Sequence, residues 1–121
     1  MAETTVWTGP TSELKSSFGK IEERVARVAG AAEAERFAAK VRAEWHNLEN
    51  VCVSLVKATK EWQPFEKETD LQKIKAAMTR IGANLRAKIV YDSGNKSLAL
   101  LATIGSDLVS GERPWIPVTT V

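Results

Sequence analysis

A chain of 121 residues with 44% hydrophobic and 26% charged residues is one domain's worth of ordinary globular polypeptide, which excludes wholesale disorder. Seventeen Lys and Arg against fifteen Asp and Glu leave +2, too little for overall charge alone to mark a binder of nucleic acid or anionic membranes. The single cysteine, Cys52, excludes a disulfide framework. With no basic-then-apolar leader and no long apolar run, the chain reads as an intracellular (cytoplasmic) or virion protein with no membrane span and no secretory signal.

Residues 1–10 hold a β-prone patch, Thr4-Thr5-Val6-Trp7, ended by Gly9-Pro10, and are expected to form an extended N-terminal arm. From Thr11 or Ser12 an apolar stripe runs through Leu14, Phe18, Ile21, Val25, Val28 and Ala32 at alternating spacings of four and three, the period of a helix. A second stripe, Val41, Trp45, Leu48, Cys52, Leu55, Thr59 and Trp62, repeats the pattern until Gln63-Pro64. At about 100° per residue the two stripes fall on opposite sides of one continuous helix. Either Gly30 makes a tight connection between two helices, the preferred arrangement, or one helix of about 75 Å buries opposite faces in its two halves and needs another subunit to cover it.

A third helix is expected to start at the Thr69-Asp70-Leu71-Gln72 capping pattern and to carry Leu71, Ile74, Met78, Ile81, Leu85 and Ile89 as far as Asp92-Ser93-Gly94. Asn95 is expected to cap a shorter fourth helix with Leu98, Leu101, Ala102, Ile104 and Leu108, ended by Ser110-Gly111. Pro114 and Pro117 then exclude helix and leave a second extended arm. The expected fold is therefore all-α: an up-and-down bundle over residues 11–111, with three or four helices near 12–30, 31–62, 69–91 and 95–110, between arms at 1–10 and 112–121.

Catalytic chemistry has few candidates. The one histidine, His46, lies off the apolar stripe beside Glu49 and Asn50, and two potential ligands do not make a metal site. Cys52 falls at the centre of its stripe with no neighbouring cation to lower its pKa. Glycine-rich phosphate loops, paired CxxC motifs and dinucleotide fingerprints are absent, so no enzyme activity, cofactor or metal is expected.

Two features remain for binding. Lys73, Lys75, Arg80, Arg86 and Lys88 occur with no acid between Leu71 and Tyr91, a basic third helix able to meet an anionic partner such as nucleic acid, although on the helical wheel the five charges ring the axis. The four tryptophans divide: Trp45 and Trp62 occupy core positions, whereas Trp7 and Trp115, the latter followed by Ile116, fall in the arms. A large aromatic on an extended arm is suited to anchoring one subunit on the next. The function expected first is a non-catalytic, self-assembling structural or scaffold subunit of coat or filament type, a homo-oligomer contacting its neighbours through Trp7, Trp115 and Ile116. The alternative is a helical module that binds nucleic acid through its basic third helix.

Overall fold

The computed structural model describes residues 3–105 and 115–121. Strand β1 (Glu3–Pro10) opens the chain, and helices α1 (Thr11–Ser16), α2 (Phe18–Ala29), α3 (Ala31–Ala43) and α4 (Trp45–Lys57) follow. A 3-10 helix (Lys60–Phe65) and α5 (Leu71–Gly82) lead into strands β2 (Leu85–Asp92), β3 (Ser97–Ile104) and β4 (Ile116–Thr120). The strands form one antiparallel sheet in the order β1-β2-β3-β4, so the fold is α+β and the expected all-α bundle is overturned.

Two periodicities coexist in the residues after α5. Leu85 and Ile89 extend the helical spacing of α5, but Leu85, Ala87, Ile89 and Tyr91 also alternate with Arg86, Lys88 and Val90 at the period of a strand. Across the sheet Ile89 pairs with Leu100 and Ala87 with Ala102, so both strands lay their apolar residues on one face. Asp92-Ser93-Gly94-Asn95, expected to separate two helices, makes a hairpin loop. The Asp92 carboxylate accepts the backbone N–H of Gly94 at 2.9 Å and of Asn95 at 3.3 Å, and Lys96 closes the loop at φ 52°. The third helix thus ends at Gly82 instead of 91, and the fourth is strand β3 over 97–104. The remainder of that expected helix, with Leu108 and Ser110-Gly111, lies outside the described residues, as do Arg113 and Pro114.

Both expected arms are sheet strands. β1 pairs antiparallel with β2 from Glu3–Asp92 to Pro10–Arg86, with a bulge between Thr5 and Trp7. The bulge turns both Val6 and Trp7 into the core. β4 pairs with β3, and its Pro117, which has no N–H to give, sits on an edge strand where that loss is tolerated.

The first two stripes are helical, but not as two unbroken helices: the expected helix 12–30 is interrupted at Ser17, and the expected helix 31–62 is interrupted at Glu44 and ends at Lys57, which leaves Trp62 in the 3-10 helix, while the tight connection at Gly30 is the arrangement found. Gly30 adopts φ 97°; its N–H donates to the Ala26 carbonyl and its own carbonyl accepts from the Ala34 N–H, so one residue ends α2 and begins α3. α2 and α3 then pack against each other, and Leu14, Phe18, Ile21 and Val25 of the first stripe share one core with Val41, Leu48 and Leu55 of the second, whereas Val28 and Ala32 of the first stripe are exposed. Leu14, Ile21, Val25, Phe37, Val41 and Val56 meet Ile89, Leu98, Leu100 and Ile104 there, each essentially free of solvent. Burial of each such side chain contributes about 1.5–3 kcal/mol. Asp70 caps α5 by accepting the Gln72 N–H at 2.9 Å, and Leu71, read as apolar face, is 71% exposed.

Candidate functional site

The helices share one core with the sheet face that carries Ala87, Ile89, Leu100 and Ala102. Among the described residues no helix covers the opposite face. Alternation places Arg86, Lys88, Val90 and Asp92 of β2 there, beside Thr103, Leu101, Ala99 and Ser97 of β3. β1 contributes Glu3, Thr5 and Thr8, and β4 contributes Pro117 and Thr120.

Trp115 precedes β4 and reaches this face. The Lys88 ammonium stands 4.5 Å from its ring centroid, within cation–π range. Because β4 borders β3 and not β2, the ring must cross β3 to meet Lys88. The centre of the face is therefore apolar, with half-buried Trp115, Leu101 and Ala99 around buried Val90. Its charges are separated along the strands: Arg86 and Lys88 towards one end, and the directly paired Glu3 and Asp92 at the other. Six residue steps along β2, about 20 Å, separate Arg86 from Asp92.

The expected site residues divide by element. Lys73, Lys75 and Arg80 are exposed on α5, where the Arg80 guanidinium lies 5.8 Å from the Phe65 ring, whereas Arg86 and Lys88 are on β2. The five cations do not share one helix. Trp7 is 9% exposed and packs within the core of its own chain. Trp115 and Ile116 remain accessible, Ile116 at 37%. The sequence reading missed the acidic half of the sheet face, although period-two alternation from Arg86 to Asp92 carries the signal.

Elsewhere, His46 is exposed on α4, and the Cys52 thiol is pushed up from 9.0 to about 11 by burial and then by the Glu49 charge. Among the described residues, no three His, Cys, Asp or Glu side chains gather as a metal site, and no helix is long and apolar enough to cross a membrane. Compared with protein-family models, curated proteins and solved structures, the chain matches none.

Proposed function

We propose that this protein is a non-catalytic, self-associating structural subunit whose copies pair through the sheet face that no helix covers among the described residues. The observation that carries the reading is the division of charge on that face, Arg86 and Lys88 at one end and Glu3 and Asp92 at the other, about an apolar centre. A two-fold axis lying between two such faces, perpendicular to the strands, sets β2 over the partner's β2 in the opposite direction. Each basic end then meets an acidic end, and Trp115, Leu101 and Ala99 of both copies close over each other. Sheets stacked this way pack about 10 Å apart with strands crossing near 30°.

Four strands spaced about 4.8 Å apart, each about seven residues long, give a footprint of about 19 by 23 Å. That is at the small end of specific interfaces and makes the pairing reversible. An isologous contact closes as a dimer, so a coat or filament needs a second contact. The outer edge of β1 has no strand partner among the described residues and is the available surface. The β4 edge is blocked by Pro117 and by Lys40, whose Nζ donates to the Thr120 carbonyl at 2.6 Å.

Sedimentation equilibrium across a concentration series tests the pairing. The expected result is a reversible monomer–dimer equilibrium, with larger species only where the β1 edge also engages; a single ideal monomer at millimolar concentration would remove the proposal.

A second reading rests on Lys88 stacked against Trp115 with Arg86 two residues away. An aromatic ring and cations on one antiparallel sheet face are the elements with which single-stranded nucleic acid is bound by base stacking and phosphate neutralisation. Titration with a short labelled single strand at two salt concentrations tests it. Salt-sensitive binding lost in Trp115→Ala supports this reading, and salt-independent or absent binding removes it.

A further inference from the structure

The helical hairpin contains a groove that the sheet-face pairing does not use. Residues equidistant from Gly30 face each other across α2 and α3, so Phe18 lies opposite Arg42 and Gly19 opposite Val41. Lys15 and Trp45 extend the two walls beyond the kinks at Ser17 and Glu44. These six residues line a half-open groove of about 470 Å³, within the range that holds a small ligand.

Three properties of the lining define what fits. Its apolar part is aromatic: Phe18 and half-buried Trp45 flank the buried Val41. Its charged part is cationic, Lys15 and Arg42, with no acid among the six. Arg42 is held in place, its Nη2 donating to Glu22 Oε1 at 2.5 Å while the guanidinium stands 5.3 Å from the Phe18 ring. Lys15 has no ion-pair partner among the described residues. With Glu22 offsetting one of the two cations, the groove matches a monoanion.

Gly19 is the independent observation. Its φ lies outside the positive region, and a Cβ added there would meet nothing within 4 Å, so neither backbone geometry nor packing within the chain requires glycine. Glycine inside a helix is less stable than alanine, because its backbone loses more conformational freedom on folding. Bare backbone in a groove wall lets a flat group approach closely.

We propose that this groove binds a small planar aromatic carboxylate, its ring against Phe18, Trp45 and the exposed backbone of Gly19, and its carboxylate on Lys15 and Arg42. The proposal is independent of the sheet-face pairing, which lies on the other side of the sheet. Its test is a heteronuclear NMR titration of the full chain with 2-naphthoate, with 2-naphthamide as the uncharged probe and acetate as the ringless one. The expected result is a saturable shift of the Gly19 amide and the Trp45 indole N–H with naphthoate, at least about tenfold weaker with either control. Gly19→Leu, which fills the groove, should abolish the shifts while leaving the spectrum dispersed. Lys15→Glu, an exposed change that does not threaten folding, should weaken binding by about tenfold or more. No saturable shift, equal binding of the amide, or naphthoate affinity unchanged in Lys15→Glu would overturn the proposal.

Discussion

The indole of Trp7 lies directly over Gly9, two residues further along the same face of β1: a Cβ at Gly9 would come 2.9 Å from the ring's Cζ2. Gly9 pairs with Ala87, itself fully buried, so the ring has no room to retreat. Gly9→Val should cost about 1–3 kcal/mol through overpacking, read as a lower urea midpoint and an altered tryptophan emission. The same contact makes residues 3–10 part of the folding unit. Deleting them should lose cooperative unfolding rather than leave a helical monomer with its assembly contacts removed.

The helices before Pro64 were legible because their stripes bury one side against one core, and Leu14, Ile21, Val25, Leu48 and Leu55 are buried where the spacing put them. From Leu85 onward two periods coexist. Leu85 and Ile89 fit both a helix and a strand, and only the tertiary pairing of Ile89 with Leu100 decides between them. The Asp92 turn signal marks a chain reversal without saying what it joins. Trp115 in the sequence needs a partner, but the helical spacing through Leu85 and Ile89 places Lys88 on a helix, and only the sheet pairing brings the two side chains together. Phe37, one of the largest fully buried side chains, lies one turn before Val41, outside the stripe that the spacing marks.

Gly30 tests the hairpin. At φ 97° and ψ 157° its backbone occupies a region that side chains with a Cβ avoid. Gly30→Ala should destabilise the fold by about 1–3 kcal/mol in chemical denaturation, although the side chain itself would meet no atom within 4 Å. The position lies away from the sheet face, so the self-association constant measured on the folded fraction should not change.

Cys52 has a pH signature. Its thiol titrates near 11 in the folded chain against an ordinary 9.0, because burial and the Glu49 carboxylate both disfavour the thiolate. A raised folded-state pKa means the stability contribution is fully present below about pH 9 and is lost as pH rises towards 11. Alkylation by iodoacetamide at pH 8 should therefore be slow in the folded chain and accelerate on unfolding in urea. Glu49→Gln should move the thiol's titration midpoint downward, by less than burial moves it upward.

The pairing of two sheet faces makes its sharpest prediction through charge. Arg86→Glu places like charge against the partner's Asp92 and Glu3, and Glu3→Lys does so against the partner's Arg86. Each change alone should weaken dimerisation by about tenfold at low salt, and 1 M salt should reduce the difference. Both residues are exposed, so folding should be unaffected. The decisive measurement is sedimentation equilibrium on the wild type, Arg86→Glu, Glu3→Lys and the double variant. The face-to-face account predicts that each single variant dissociates and that the double variant recovers a substantial part of the lost affinity. Losses that simply add in the double variant, or no change in any of the three, would contradict it.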